Sequence, residues 1–234
     1  AIEAKPQKLI CGAEVIWHGA GGVAADAWDF QREYDFGMEN LIADSPARPW
    51  RTAADNADYA VVLDLGANVR FYADGVAFFG CNVRQVTFQM NATDSWGSPS
   101  VDTDVVFDLA TGAVDDVDGN AIQDTSLLAS YADHELKGLY LRILVGGAAA
   151  GNTWKILDNV GTWILLDTTA ATAIADADTF AIFGTKAAKA FSAGVYRYVR
   201  ILVEAQQTAE NYYQIGYAAL GRMVSLASGY AVGF

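Results

Sequence analysis

Apolar side chains recur at alternate positions in short runs along most of the chain, the two-residue period of a strand with one face turned inward. In the run Gln85-Val86-Thr87-Phe88-Gln89-Met90, one face carries Val86, Phe88 and Met90 and the other Gln85, Thr87 and Gln89. Runs rich in β-branched and aromatic residues fall at 9–17, 59–65, 75–79, 84–90, 101–109, 139–145, 153–157, 162–167, 179–183 and 196–205, separated by Gly, Asn and Asp. Helical turns are expected only at 126–135 and 185–191. The pattern predicts an all-β protein. Strands that begin in the first hundred residues and finish after residue 195 must pair across a long separation, as in a Greek-key sandwich.

The densest unit of strands and turns spans 136–184, with Gly138, Gly146, Gly147, Gly151, Asp158 and Asn159 at its turns. Four or five strands in about fifty residues are enough for a small barrel-like module, which leaves few sheet edges exposed. The expected organisation is therefore an N-terminal arm and first strands over 1–39, a β-sandwich split into 40–135 and 185–234, and an inserted β-module at 136–184.

Charge sharpens this division. The net charge is −13, distributed as −6 over residues 1–100, −10 over 101–184 and +3 over 185–234. Acids outnumber bases 28 to 15, which argues against binding to a phosphate backbone. No apolar run reaches the roughly 18 residues needed to span a bilayer as a helix, and no membrane insertion is expected.

Few residues suggest catalysis. His18 and His134 are the only histidines, which leaves histidine triads and multi-histidine metal centres almost without material. Cys11 and Cys81 each lie in a strand-like run, as two buried free thiols or as one bridge. Asp115-Asp116-Val117-Asp118-Gly119-Asn120 is the best calcium-like run, but an EF-hand register would put Val114 and Thr125 at ligand positions. A solvated Asp-Gly hairpin turn is the favoured reading and calcium the alternative; no cofactor is expected. Among the aromatics, Trp28, Trp50 and Trp96 are the candidates for stacking on a sugar ring.

Two stretches resemble known families. The glycine turns of the inserted unit, with Ile156, Asp158 and Asn159 and then Asp178, Phe180 and Ile182, resemble a small β-module recurrent in structural and tail proteins of tailed bacteriophages. Asn40-Leu-Ile-Ala-Asp44, Trp50, Tyr59-Ala-Val-Val-Leu-Asp-Leu-Gly66 and the late strand Tyr196-Arg-Tyr-Val-Arg-Ile-Leu-Val203 resemble discoidin-type, galactose-binding-like jelly rolls. Such domains often hold calcium near the opening turn, which Asp44 would match. Together the resemblances imply a jelly-roll β-sandwich with an inserted small β-barrel-like module.

The function they imply first is a non-enzymatic structural component of a bacteriophage virion, in the tail, baseplate or neck, assembled in the host bacterial cytoplasm. Its partners would be copies of itself and other virion proteins, met through open strand edges and through Trp17, Tyr230, Val232 and Phe234. The alternative is a carbohydrate-binding module that recognises host surface glycans.

Overall fold

A computed structural model describes residues 14–20, 49–52, 55, 57–65, 71–167, 173–226 and 229–233. In chain order its strands are β1 (Glu14–Ala20), β2 (Trp50–Arg51), β3 (Tyr59–Asp64), β4 (Phe71–Phe79), β5 (Gln85–Asn91), β6 (Val101–Val106), β7 (Asp108–Ala113), β8 (Asp116–Asp118) and β9 (Ala121–Gln123). They continue as β10 (Tyr140–Val145), β11 (Thr153–Val160), β12 (Trp163–Leu166), β13 (Thr179–Phe183), β14 (Lys186–Tyr196), β15 (Tyr198–Val203), β16 (Gln214–Ile215), β17 (Tyr217–Leu226) and β18 (Gly229–Gly233). The protein is all-β, with a short 3-10 turn at Leu128–Ser130 among the connections.

The strands form two compact units, each with its own core. In the first, a five-stranded sheet of order β1-β3-β15-β5-β6 and a four-stranded sheet of order β14-β4-β17-β18 form a sandwich, beside the short pair β16-β2. The sheets meet where Phe78 of β4 packs edge-on against Phe88 of β5, with ring centroids 6.2 Å apart. Phe88 in turn stacks on Phe191 of β14 at 5.7 Å. The alternation read in β5 holds, since Val86, Phe88 and Met90 are all buried. Burying side chains of this size stabilises the fold by roughly 1.5–3 kcal/mol each.

At the centre of the five-stranded sheet, β15 pairs antiparallel with β3 on one side and β5 on the other, with Ile201 opposite both Val61 and Phe88. A late strand thus completes a sheet begun more than a hundred residues earlier. A bidentate ion pair anchors it, with the Arg197 guanidinium donating to Asp64 through Nε at 2.8 Å and Nη2 at 2.6 Å. Cys81 is a buried free thiol, and Cys11 lies outside the described residues. Burial pushes the Cys81 thiol well above the usual range.

The second unit comprises Phe107–Thr185 and Gln206–Asn211. It is one antiparallel sheet of order β7-β13-β10-β11-β12-β9-β8, so it begins earlier than the expected 136–184 and takes in strands assigned above to the jelly roll. The expected run 101–109 is two strands, β6 and β7, which belong to different sheets on either side of Phe107. The sheet does not close, because its terminal strands β7 and β8 do not pair with each other. Its core of Leu141, Ile143, Trp154, Ile156, Ile164, Phe180 and Ile182 is completed by Leu128, Leu136, Ala149 and Ile174 from the connecting segments rather than by a closing strand pair.

The residues that carried the resemblance to a recurrent module have structural work here. The Asp178 carboxylate lies where a Cβ on residue 146 would stand, so only glycine fits there, and it accepts the Ala175 N–H at 3.1 Å. Buried Asn159 accepts from Leu136 N at 2.8 Å and donates to the Ala132 carbonyl at 2.8 Å, tying the turn before β10 to β11. The run at 185–191, expected as a helical turn, is the start of β14, whose backbone pairs with β4 from Lys186–Phe79 to Ala190–Gly75.

Candidate functional site

The outward face of the five-stranded sheet is polar where β15, β5 and β6 adjoin. Register places Arg200, Gln89 and Asp102 in one cross-strand row, and Leu202, Thr87 and Asp104 in the next. Tyr198, two residues before Arg200, shares this face and lies opposite Asn91. Within the first row Gln89 Nε2 donates to Asp102 Oδ1 at 3.0 Å, and Arg200 Nη1 donates to Gln89 Oε1 at 3.4 Å. In the second, Thr87 Oγ1 donates to Asp104 Oδ1 at 2.8 Å.

The loop joining β5 to β6 holds Trp96 beside these rows. Asn91 pins the loop at its base, donating Nδ2 to the Ser95 carbonyl at 2.7 Å and accepting Ser100 Oγ at 3.0 Å. Trp96 Nε1 donates to Asp94 Oδ1 at 2.8 Å, and the Arg200 guanidinium lies 5.9 Å from the indole centroid. The indole is half-buried, and these contacts fix its orientation before any ligand arrives, which lowers the ordering cost of binding. An aromatic surface next to fixed donors and acceptors suits the C–H face and hydroxyl rim of a sugar ring.

The other stacking candidates fare differently. Trp50 is 1% exposed in β2, which corrects its assignment as a stacking platform: its ring is buried and out of reach of a ligand. Trp28 lies outside the described residues, as do Asp44, Cys11 and Phe234. Trp17 lies in β1 with its backbone opposite Val62, while Tyr230 and Val232 lie in β18 opposite Ser225 and Met223.

Sequence reading found Trp96 but missed Arg200, Gln89, Asp102, Asp104, Thr87 and Tyr198. A signal was present, because the polar face of β5 was read from its alternation and β15 alternates in the same way. What sequence could not supply was the register that puts β15 between β3 and β5.

The Asp-Gly run forms the expected hairpin of β8 and β9, with Gly119 at φ 62° in its turn and Asp118 opposite Ala121. Among the described residues no three His, Cys, Asp or Glu side chains converge as a metal site. A cleft of about 410 Å³ lies in the second unit between β7 and the turn that follows β9. The two aspartates in its wall are engaged in holding the chain: Asp124 accepts from the N–H groups of Ala113, Ser126 and Leu127, and Asp115 from the N–H and hydroxyl of Thr125.

No protein-family model matches the chain, and no curated protein does. Solved structures similar to it include a GH29 fucosidase of Ruminococcus gnavus in complex with fucose, at 12% identity and TM-score 0.41, over 90% of this chain and 25% of that one. Another is chitosan-binding module 1 of a chitosanase/glucanase from Paenibacillus sp. IK-5, at 12% identity and TM-score 0.44, over 92% of this chain and 98% of that one. A third is CpGH89CBM32-5 from Clostridium perfringens in complex with GalNAc-β-1,3-galactose, at 10% identity and TM-score 0.31, over 89% and 93%. The chain spans about a quarter of the fucosidase and nearly the whole of the two modules to which it is similar.

Proposed function

We propose that this chain is a non-enzymatic glycan-binding module whose sugar site is the polar face of the five-stranded sheet. The observation that carries this reading is Trp96, a half-buried indole oriented by Asp94 and Arg200 at the edge of the cross-strand row Arg200–Gln89–Asp102. Titration against a panel of oligosaccharides is expected to find a ligand whose binding is lost in Trp96→Ala while the thermal unfolding curve is kept. A ligand bound equally well by that variant would remove the site from this face.

The sheet edges support a binding module over an assembly subunit. Strand β14 carries Lys186 and Lys189 and is bulged between Ala190 and Gly194, β1 is bulged between Val15 and Trp17, and β6 carries the exposed Asp102 and Asp104. Charges and bulges on edge strands oppose pairing with another chain. Light scattering over a concentration series is expected to return one monomer mass.

The reading as a structural subunit of a bacteriophage virion has one observation in its favour. In the second unit Leu109, Val145, Leu157, Val160 and Leu165 are exposed, and apolar side chains of that kind suit contact with another protein. A defined ring or trimer in the same light-scattering series would favour that reading.

A further inference from the structure

We propose that the open edge of β7 binds an extended peptide of a partner protein by strand addition, at a site separate from the sugar-binding face. Strand β7 ends the seven-stranded sheet and, among the described strands, pairs only with β13. The Val114 N–H donates to the Asp178 carbonyl at 2.9 Å. Gly112, two residues earlier, therefore also turns its backbone groups toward β13, while Ala113 and Thr111 turn theirs away. The Ala113 N–H follows this parity, leaving the sheet to donate to Asp124 Oδ2 at 3.1 Å. The Thr111 N–H, the Thr111 carbonyl and the Ala113 carbonyl are then directed outward, with no partner among the described residues. The bulge in β7 falls at Leu109, between Asp108 opposite Phe183 and Ala110 opposite Ile182, so the backbone over 110–113 is regular.

The cleft of about 410 Å³ lies along this edge, with Thr111 and Ala113 in one wall and Ser126, Leu127 and Ser130 in the other. Unpaired edge groups are a template for another strand, and an extended peptide supplies donors and acceptors at the spacing they need. Charges or bulges guard β14, β1 and β6, and β8 is a three-residue strand with an aspartate at each end. The stretch 109–113 of β7 carries neither charge nor proline. The far wall selects the occupant. A lone extended segment fits between it and β7, whereas the edge strand of a second copy would bring the rest of its sheet against the exposed Ser126 and Ser130. With the Ala113 N–H already taken by Asp124, the added strand exchanges two bonds with Thr111 and donates a third to the Ala113 carbonyl. Asp115 adds an exposed carboxylate to the wall, and no lysine or arginine is among its described residues. A cationic side chain on the peptide is therefore favoured over an acidic one.

The probe is a short peptide alternating valine and threonine with a lysine at each end, titrated into the isotope-labelled full chain and followed by amide shifts and hydrogen exchange. The Thr111 amide is expected to be among the most strongly shifted and, at saturation, to slow its exchange on the order of tenfold or more. The same peptide with glutamates in place of the lysines should bind several-fold more weakly, the gap narrowing as salt is raised. Thr111→Pro removes an N–H that the ladder with β13 does not use, and should abolish binding while the unfolding curve is kept. N-methylation of the peptide at alternate residues tests the pairing without altering the protein: one set of positions should abolish binding and the other leave it intact. Unchanged exchange of Thr111 on addition of the peptide, or equal binding by the two methylated sets, would overturn strand addition. An oligosaccharide that shifts these amides in place of the peptide would overturn it in favour of a second sugar site. A mass that rises with concentration and is restored to the monomer by Thr111→Pro would overturn it in favour of a second copy.

Discussion

Asp124 shows how much structure one carboxylate can hold. It is buried and takes three backbone N–H groups, two from the turn that follows β9 and one from the end of β7. Asp124→Ala removes the acceptor of all three part-buried hydrogen bonds, each a bond to a charged group worth about 1.5–3 kcal/mol. A loss of at least ~2 kcal/mol in urea-induced unfolding is expected, against almost none for the exposed Asp116→Ala. Asp115 and Asp158 define a pH limb. Hydrogen bonds from Thr125 hold the first carboxyl below the usual range, and the hydrogen bond from His134 at 2.8 Å holds down the second. Because the folded pKa lies below the unfolded value of about 3.9, their contribution is present above that pH and is lost as the pH falls through the folded value. His134→Ala should therefore flatten the acid limb of a stability-versus-pH curve near pH 4, and an unchanged limb would show that the pair contributes nothing.

Strand β14 marks the limit of local reasoning. Lys186-Ala-Ala-Lys-Ala190 has good helix formers at every position, which is why a helical turn was expected there. Partners more than a hundred residues away in β4 override that propensity, and nothing within the run announces them. Strand β13 lies at the other extreme. Its run of β-branched and aromatic residues ends at residue 183 just as predicted, because Ala181, Ile182 and Phe183 are buried and the apolar signal is continuous. The same contrast governs the candidate site, where Trp96 could be picked out by residue type but its polar neighbours come together only through register. The lysines of β14 have a testable role of their own. Lys186→Thr/Lys189→Thr removes the charge from this edge while retaining strand propensity, and should raise the concentration-dependent mass in light scattering; an unchanged monomer mass would show that the bulge alone is sufficient protection.

Across the whole molecule, alternation and turn residues made the sandwich legible, and the strand runs read at 59–65 and 196–205 pair with each other as β3 and β15. The limits of the inserted unit were not legible, because β7 to β9 join its sheet by pairing with β13 and β12 rather than by any property of their own sequence. One consequence concerns the order in which the chain emerges from the ribosome. Strands β3 and β5 are synthesised early, yet the strand that lies between them, β15, follows every strand of the second unit. Until β15 arrives, the five-stranded sheet lacks its middle, and two apolar strands wait with open sides facing each other. The second unit pairs strands over shorter separations and is expected to form first, at the lower entropic cost of closer contacts. A chain stopped after Thr185, which holds every strand of the second unit and lacks only its segment 206–211, should therefore yield a protease-resistant second unit beside an unfolded first one, a nascent state that binds chaperones of the holding kind. Protection of β3 and β5 in that truncated chain by hydrogen exchange would show that the sheet assembles without its central strand.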